Sequence, residues 1–353
     1  MTAKQTKQTE LTPQRNPTMA DIARLAGVSA STVSRALAGL PPITEETRQR
    51  VEKAARDAGY TVNRHARSLR LRRSGMMLVL IPDLANPNFP DLLMHIDRAA
   101  FECGYDIMIA HTAIDPGRSD RFVDELLAGG IDGVLLTSDY CPPRLLERLD
   151  AGFRLPIVRT LSPGSVTHGI ASVQIDEVAA AFDVVSHLIE AGYRKVMHLG
   201  GPEEEVVAIA RRKGWHDALH AHGLPHEDAQ VLHGGFLIED GRRAADFLVT
   251  QASIPEAIFC SNDESAYGLI AGLKEHGLRV PDDIAVAGFD DLAFSRVLDP
   301  PLTTVRLPRR EMAEASVRML KTLIESNTTG TDEVLRHELI IRQSTQPLEK
   351  SAR

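Results

Sequence analysis

The spacing of hydrophobic residues changes near residue 75 and divides the chain into two regions. Before that point, apolar residues recur every three or four positions in short stretches, which is the spacing of amphipathic helices. After it, short continuous apolar runs alternate with amphipathic helical stretches. Buried parallel strands have continuous apolar sequences, so the second pattern predicts βαβ units and parallel sheets.

The first region predicts three short helices that pack together. Thr18 and Thr44 precede the first and third helices and are suited to cap them. Gly27 ends the first helix, and the second spans 31–38. The residues predicted to face inward are Ile22, Leu25, Ala26, Val33, Ala36, Leu37, Val51, Ala54 and Ala55.

A glycine-containing turn between the first two helices is typical of a helix-turn-helix unit. In such a unit the second helix enters the DNA major groove with its N-terminal residues at the base edges. Arg35 can donate two hydrogen bonds to guanine, which discriminates by about 1–3 kcal/mol, and the Ala30 methyl can pack on a thymine methyl. A solvated arginine on a helix surface is the alternative for Arg35. The candidate base-contacting residues are Ala30, Ser31, Thr32, Ser34 and Arg35.

The charge of the chain is divided at the same place. Residues 1–73 contain 14 Lys/Arg and 6 Asp/Glu, a net charge of +8, whereas the whole chain has −8 and the remainder −16. This division indicates a polyanion-binding module joined to a part with a different function. The basic stretch 60–73 places the apolar Leu69 among arginines, which is unusual for a solvated linker. Residues 1–17 are polar without hydrophobic periodicity, so we expect a disordered tail.

The second region predicts two Rossmann-like lobes rather than one sheet. The predicted strands are 77–81, 106–110, 133–136, 195–199, 257–260 and 284–287, and the predicted helices include 90–103, 118–127, 177–190, 211–222, 264–276 and 309–325. Ligands in open α/β sheets bind at the carboxyl ends of strands, so the loops there form the candidate site. Asn and Asp in these loops can hold hydroxyl groups, and Phe89 or Phe236 offers an aromatic face. Alternatively, Asn262 caps the helix that begins near Glu264.

Segments of the basic region carry a specific resemblance, with many identities at fixed spacing. They are 19–37 (MADIARLAGVSASTVSRAL), 44–48 with Gly59-Tyr60, and 63–69 (NRHARSL). Together they resemble the head of the lac repressor (LacI/GalR) family of bacterial transcription regulators. The resemblance implies that 64–69 is a hinge helix that folds on the operator, with Leu69 as an apolar wedge in the minor groove. The DNA contacts it implies there are Asn63, Arg64, Ala66, Arg67 and Leu69.

The resemblance covers nearly the whole acidic region, through motifs such as DLANP at 83–87 and GFDD at 288–291. The family's core is similar to periplasmic sugar-binding proteins, with two lobes and an effector in the cleft. The positions that match its effector contacts are Asn86, Phe89, Arg211, Phe236, Asn262 and Asp290. This chain departs from the family at Arg159, near which many members have an acidic residue. Arg159 would make the cleft more cationic, so we expect an effector with an anionic group, such as a sugar acid or sugar phosphate.

Two other classes of protein fit the sequence less well. An enzyme would need a catalytic or nucleotide-binding motif, and GxxxxGK[ST], GxSxG and HExxH are all absent from the sequence. His216 and His220 have the spacing of zinc ligands, but a solvated helix face with Trp215 and Leu219 on its buried side explains them better. The three cysteines form no CxxC pair, so we expect no thiolate zinc site. We also expect no other metal and no cofactor. A sugar-binding protein without DNA contact would leave the basic head unexplained.

The sequence therefore predicts a small all-α helix-turn-helix head on an α/β body with two Rossmann-like lobes. The predicted division is a disordered tail (1–17), a DNA-binding domain (18–63), a hinge helix or linker (64–74), an effector-binding and dimerisation domain (75–346) and a tail (347–353). We expect a homodimer, because one recognition helix reads only half of a pseudo-palindromic operator in double-stranded DNA. The polar N-terminus and the absence of a long apolar run predict a cytoplasmic protein with no membrane partner.

Overall fold

The computed structural model describes residues 17–37, 39–60, 73–112, 116–153, 155–162, 169–226, 230–326 and 328–346, with side chains except at 116–120. The chain divides into two compact units, Met1–Ser74 and Gly75–Arg353. The predicted hinge contacts Asn63, Arg64, Ala66, Arg67 and Leu69 lie outside the described residues, as do nearly all of the N-terminal tail and the tail from 347.

The first unit contains the three predicted helices: α1 (Met19–Ala26), α2 (Ala30–Leu37) and α3 (Glu45–Asp57). Thr18 caps α1, since its hydroxyl accepts a hydrogen bond from the Asp21 amide and the Asp21 carboxylate accepts one from the Thr18 amide. Thr44 caps α3 in the predicted way. The core of this unit is formed by Ile22, Ala23, Ala26, Val33, Ala36, Val51 and Ala55.

The prediction that Leu25 faces this core is wrong, because its side chain is 61% exposed. Each residue advances a helix by about 100°. Ala23 fills the position beside Ile22 and Ala26 in the core, so the buried arc of α1 is centred on these three residues. Leu25 then falls outside the arc.

The second unit contains two parallel sheets, as predicted, and more elements than the sequence indicated. The first part of the chain forms β1 (Met76–Ile81), α4 (Asn88–Glu102), β2 (Asp106–His111), α5 (Pro116–Leu127), β3 (Gly133–Leu136), α6 (Pro143–Asp150), β4 (Ile157–Thr160) and β5 (Ala171–Ile175). The middle part forms α7 (Glu177–Glu190), β6 (Val196–Leu199), α8 (Val206–Ala221), β7 (Val231–Leu232), α9 (Ile238–Leu248), β8 (Ala257–Cys260), α10 (Asp263–Glu275) and β9 (Ala285–Ala287). The last part forms β10 (Thr304–Arg306), α11 (Arg309–Ser326), β11 (Glu333–Leu335) and β12 (Glu338–Ile340).

The strand order separates two lobes within this unit. The first lobe has the parallel sheet β11-β5-β4-β3-β1-β2, and the second has the parallel sheet β7-β6-β8-β9. Strands β10 and β12 pair antiparallel as a third, two-stranded sheet. Two-residue and three-residue strands such as β7 and β10 give no clear alternation in the sequence, which is why they were not predicted.

Each parallel sheet is covered by helices on both faces. In β1, Met77 and Val79 belong to the core under α4 and α11, whereas Leu78 and Leu80 belong to the core under α5 and α6. Successive side chains of a strand point to opposite faces, so a fully apolar strand buries both. In the second lobe, α7 and α8 cover one face and α9 and α10 cover the other. Helix α8 begins at Val206, upstream of the predicted start at Arg211, because the small and apolar residues before Arg211 continue the helix.

Helices α9 and α10 approach each other closely through glycine. A Cβ atom at Gly241 would lie 1.9 Å from the Ser265 carbonyl oxygen, and one at Gly268 would lie 1.8 Å from the Ile238 carbonyl oxygen. Only glycine fits these contacts. Among the described residues, no helix is both long enough and apolar enough to cross a membrane.

Candidate functional site

The exposed face of α2 carries the residues predicted to contact bases. Ala30, Ser31 and Arg35 are exposed, and Thr32 and Ser34 are half-buried. Ser31 and Arg35 are one helical turn apart, so their side chains lie on the same face. The Ser29 hydroxyl accepts a hydrogen bond from the Thr32 amide at 3.1 Å and thereby caps the helix. The face is therefore a short surface with a hydroxyl at its N-terminal end and a guanidinium one turn later.

A second candidate site lies where the carboxyl edges of the two sheets in Gly75–Arg353 face each other. The guanidinium of Arg309 links these edges: its Nε donates to Asn88 Oδ1 at 2.9 Å and its Nη2 donates to the Asp290 carbonyl oxygen at 2.6 Å. Asn88 follows β1 in the first lobe, and Asp290 follows β9 in the second. The loops after the strands of both lobes therefore lie next to each other, and the space between them is the candidate cleft that the sequence predicted for an α/β protein.

Arg211 occupies the second-lobe wall of this cleft and is buried. Its Nε donates to Glu177 Oε2 at 2.8 Å, its Nη1 donates to the Ser261 carbonyl oxygen at 2.6 Å, and its guanidinium lies 3.7 Å from the centre of the Phe289 ring. Burial opposes its charge, but Glu177 and Asp290 outweigh burial and raise its pKa. Arg211 is thus a fixed cation that three groups orient.

Asp290 brings an unsatisfied acceptor to the same place. Its side chain is 3% exposed, and Oδ1 has no hydrogen-bond partner in the described part of the chain, with Arg211 Nη2 at 3.7 Å. Its backbone has φ 113°, a conformation that an aspartate rarely adopts and that surrounding structure must enforce. Burial raises its pKa, against the opposing charges of Arg211 and Arg309. A buried oxygen without a partner is expensive, so a ligand donor is expected to satisfy it.

Other buried polar atoms without a hydrogen-bond partner lie at the ends of first-lobe strands. They are His111 Nε2 at the end of β2, Tyr140 Oη in the loop after β3 and Thr160 Oγ1 at the end of β4. These positions share the edge of the sheet that faces the second lobe. Nothing in the sequence marks these three side chains, because the end of a strand becomes part of a site only when the second lobe packs opposite it.

Asn262 has the capping role that the sequence left open. Its Oδ1 accepts from the Ser265 amide at 3.0 Å, and its Nδ2 donates to the Phe236 carbonyl oxygen at 2.8 Å. Both ends of the amide are therefore engaged within the protein. Asn262 starts α10 and holds the loop that contains Phe236, whose side chain is half-buried.

Phe89 does not offer an open aromatic face, contrary to the prediction. It is 6% exposed and belongs to the core between the first sheet and α4. It is the second residue of α4, and its apolar ring packs with Leu92 and Ile96 along that helix. Asn86 is half-buried and forms a local turn, in which its Oδ1 accepts from the Asn88 amide at 3.0 Å.

Arg159 lies in β4 with 2% of its side chain exposed, and its Nη2 donates to the Asp139 carbonyl oxygen at 3.2 Å. Burial lowers its pKa, while Cys141, Asp139 and Asp332 oppose that shift. Its positive charge is thus offset by nearby groups rather than presented to an anion. The anionic effector that the sequence led us to expect stays a prediction.

Asp263 lies behind the cleft and is fully buried. Its carboxylate accepts hydrogen bonds from the Leu292 amide at 2.8 Å, Thr304 Oγ1 at 2.6 Å and Ser295 Oγ at 2.5 Å. Burial first, and then the charge of Asp290, raise the pKa of Asp263 to about 7, against the lowering effect of those hydrogen bonds.

The elevated pKa of Asp263 predicts a pH dependence of stability. The folded state binds this proton more tightly than the unfolded state, so the free energy of unfolding falls as the pH rises from 3.8 to about 7 and is level above it. Asp263→Asn removes this titrating carboxyl. The fall in the free energy of unfolding across this pH range should therefore be smaller in the variant, by an amount on the order of a few kcal/mol. Unfolding midpoints measured across this range test it. Asp299→Asn, at a carboxylate that is 94% exposed, is the control, and an unchanged slope in Asp263→Asn would contradict the assignment.

The histidines that follow the middle of α8 pack against one another. His216, His220 and His226 have ring centroids 4.6 to 6.4 Å apart, and Trp215 and Leu219 are buried as predicted. Within the described ranges, no group of His, Cys, Asp or Glu side chains is arranged to hold a metal ion.

Three residues that the sequence analysis missed are central to the cleft: Asn88, Glu177 and Arg309. Asn88 stands two residues after Asn86 in the same loop, and that proximity was the available signal. Glu177 and Arg309 open helices far away in the sequence, so only the fold brings them to Arg211 and Asp290.

Both units match known families. Residues 18–63 match the family described as bacterial regulatory proteins, lacI family, and residues 185–345 match the periplasmic binding protein-like domain. The HTH-type transcriptional repressor CytR of Escherichia coli (strain K12) is 33% identical over 332 residues, covering 94% of this chain and 97% of the relative. Catabolite control protein A of Priestia megaterium is 32% identical over 333 residues, covering 94% of this chain and all of the relative.

Known structures agree with this relationship. The lac repressor dimer bound to operator and the anti-inducer ONPF has a TM-score of 0.83 and 26% identity, covering 94% of this chain and 99% of that chain. The complex of the transcriptional regulator CelR with cellobiose has a TM-score of 0.69 and 29% identity, covering 93% and 99%. The all-α head with an α/β body, predicted from the sequence, is confirmed by these matches. The protein belongs to the lacI family of bacterial regulatory proteins.

Proposed function

We propose that the protein is a sequence-specific DNA-binding transcriptional regulator, acting as a repressor, whose operator affinity changes when a small sugar-like effector binds between the two lobes. One observation carries the proposal: a lacI-family head with an exposed face on α2 is joined to a two-lobed unit with an unsatisfied buried acceptor at its cleft. The relatives support it, since CytR is a transcriptional repressor and lac repressor was solved on operator DNA.

The head supplies two kinds of DNA contact. Ala30, Ser31, Thr32, Ser34 and Arg35 of α2 read base edges in the major groove. Asn63, Arg64, Ala66, Arg67 and Leu69 act after the head, with the arginines on phosphates and Leu69 in the minor groove. Operator affinity then falls steeply with salt, because each phosphate contact releases counterions.

The cleft supplies the effector site. Asp290 accepts from the effector and Arg211 donates to it, while Asn262 and Phe236 shape the second-lobe wall. Asn86, Phe89 and Arg159 form the first-lobe side, where Phe89 supports α4 and Arg159 anchors the loop at Asp139. Closure of the lobes on the effector changes the spacing of the two hinges in a dimer, with a coupling of about 1–3 kcal/mol.

Exposed apolar side chains on the second unit support a homodimer. Met94 and Phe101 lie seven residues apart on one face of α4 and are 66% and 76% exposed, and Ile109 lies on the neighbouring edge strand β2. In the second lobe, Phe294 and Val297 are equally exposed. Apolar groups concentrated in this way mark a contact surface, so we assign them to the dimer interface.

The functional division follows from these assignments. Residues 18–63 bind DNA, 64–74 form the hinge, and 75–346 bind the effector and dimerise, between the tails 1–17 and 347–353. The protein regulates transcription in the cytoplasm rather than catalysing a reaction, and it needs neither a cofactor nor a membrane. Its partners are double-stranded operator DNA, the effector and a second copy of the chain.

Selection of DNA from a random pool by the full-length protein at fixed salt tests this function. We expect a pseudo-palindromic consensus with a flexible step at its centre, where Leu69 would enter. The selection is repeated with pooled sugars, amino sugars and sugar acids to cover regulators that need an effector to bind. Failure to enrich any sequence in either form would contradict the proposal.

A further inference from the structure

We propose that the effector for this cleft carries a positively charged group, such as the ammonium of an amino sugar, seated between carboxylates of the two lobes. The inference rests on the proposed role of the cleft as the effector site. It follows from which acidic residues meet there, from how the nearby cations are already used, and from the unsatisfied oxygen of Asp290.

Acidic side chains stand at the carboxyl edges of both sheets. In the first lobe, Asp83 follows β1 and Asp139 follows β3. In the second lobe, Glu205 immediately precedes α8, and Glu239 and Glu264 lie in the first turns of α9 and α10. Since the edges face each other, the two sets of carboxylates lie on opposite walls of one cleft.

The carboxylates of the two lobes repel one another across the cleft. Burial raises the pKa of Glu205, and the charge of Asp139 on the other lobe raises it further. Burial also raises the pKa of Glu264, and the charges that add to this shift are those of Asp290, Asp83 and Glu239. Thus each lobe presents negative charge to negative charge on the other, which disfavours closure of an empty cleft.

Among these carboxylates, Asp139 has the nearby charge of Arg159, whereas the others have little cationic charge close to them in the described part of the chain. For Glu205 and Glu264, the groups that shift the pKa are other carboxylates, and no cation among the described residues is one of them. Asp83 has His111 Nε2 at 3.8 Å, and Glu239 has the more distant Arg242 on its own helix.

The three arginines at the cleft are already engaged. Arg211 is paired with Glu177 and has its Nη2 at 3.7 Å from Asp290 Oδ1, and Arg309 is held by Asn88 and the Asp290 carbonyl. Arg159 lies beside the Asp139 loop with its charge offset by acidic neighbours. Negative charge therefore remains in excess between the lobes.

Asp290 supplies a hydrogen-bond acceptor for a positively charged group of the effector. Its Oδ1 is buried and accepts no hydrogen bond within the described ranges, at a position near Glu264. An ammonium group offers three donors and no acceptor, which suits an environment made of carboxylate oxygens. A carboxylate or phosphate group on the effector would instead meet like charge and leave Oδ1 unsatisfied.

Matched sugars that differ only in charge test the inference. The probes are D-glucosamine, D-glucose and D-glucuronate, with D-galactosamine, D-galactose and D-galacturonate as a second set. Binding to the full-length protein is measured by thermal unfolding and calorimetry at low salt. We expect an amino sugar to raise the unfolding midpoint and to bind about tenfold or more tightly than the matching acid. Its affinity should rise with pH as Glu205 and Glu264 ionise, while that of an acid should not.

A charge-matched pair of variants connects the effect to the cleft. Asp139→Asn/Glu205→Gln removes one carboxylate from each wall and should weaken amino-sugar binding about tenfold. Glu147→Gln/Glu314→Gln removes the same charge from exposed positions on α6 and α11 and should leave binding unchanged. Tighter binding of the neutral or acidic sugars, no response to either amino sugar, or equal affinities in the two variants would each overturn the inference.

Operator binding by the same preparation keeps this test separate from the proposed function. A protein that binds its selected operator but ignores both amino sugars remains a regulator and loses only the cationic effector. A protein that binds amino sugars but selects no DNA retains the cleft chemistry and loses the regulatory role.

Discussion

Arg35→Ala is expected to cost about tenfold to a hundredfold in operator affinity for each half-site, because a two-pronged arginine contact to guanine contributes about 1–3 kcal/mol of discrimination. The loss should be confined to the selected operator and should be small on unrelated DNA. Fluorescence anisotropy of labelled operator and of a scrambled duplex, at one fixed salt concentration, measures both. Because Arg35 is exposed on α2, the substitution should leave folding stability unchanged, and the unfolding midpoint checks this.

Arg56→Ala is the matched control for Arg35→Ala. Arg56 lies on α3, is 69% exposed and pairs with Glu52 at 3.7 Å, so the variant removes the same charge from another surface of the head. If the two variants lost equal affinity, with equal losses on scrambled DNA, Arg35 would be a general electrostatic contact instead of a base contact.

Arg211→Met is expected to lower the free energy of unfolding of the second unit by about 3–5 kcal/mol, since it leaves the buried Glu177 and Asp290 without their cation. The variant should also lose its response to effector, because Asp290 is no longer held in place beside the guanidinium. Chemical unfolding of the full-length protein, followed by the fluorescence of Trp215, measures the stability loss. Trp215 is the chain's single tryptophan and lies buried on α8, so it reports this unit alone.

A double variant separates the ion pair from the packing of the arginine stem. Glu177→Leu/Arg211→Met removes the uncompensated carboxylate together with its partner, so part of the lost stability should return. Effector response should remain absent in the double variant, because the donor at Nη2 is still missing. Recovery of both properties would mean that Arg211 only neutralises Glu177 and has no part in binding.

The head could be predicted well because its signals are local. Thr18, Thr44 and Gly27 act through hydrogen bonds and backbone angles within a few residues, so the sequence shows them directly. Leu25 was misplaced because the periodicity of an eight-residue helix leaves the centre of its buried face uncertain by one position. Ala23 lies in the core instead, and its small side chain packs against the neighbouring helices.

The body could be predicted in class but not in the detail of its site. Continuous apolar strands indicated buried parallel sheets, and the loops after them indicated where a ligand binds. Phe89 and Asn262 match family positions, yet one packs in the core and the other caps a helix. Residue type alone does not distinguish an aromatic face that is free from one that is covered.

The helix-turn-helix head, the α/β class of the body, the strand-end location of the candidate site and the family all follow from the amino-acid sequence. These depend on local hydrogen bonds and on the alternation of apolar residues, which neighbouring positions specify. The surroundings of the charged side chains at the cleft, in contrast, depend on the fold. In the sequence, Arg159 suggested a cation that would bind an anionic effector. The fold places it beside Asp139, and it brings carboxylates of the two lobes close enough to repel each other. Electrostatic interactions depend on distance and burial, and residues far apart in the chain set both.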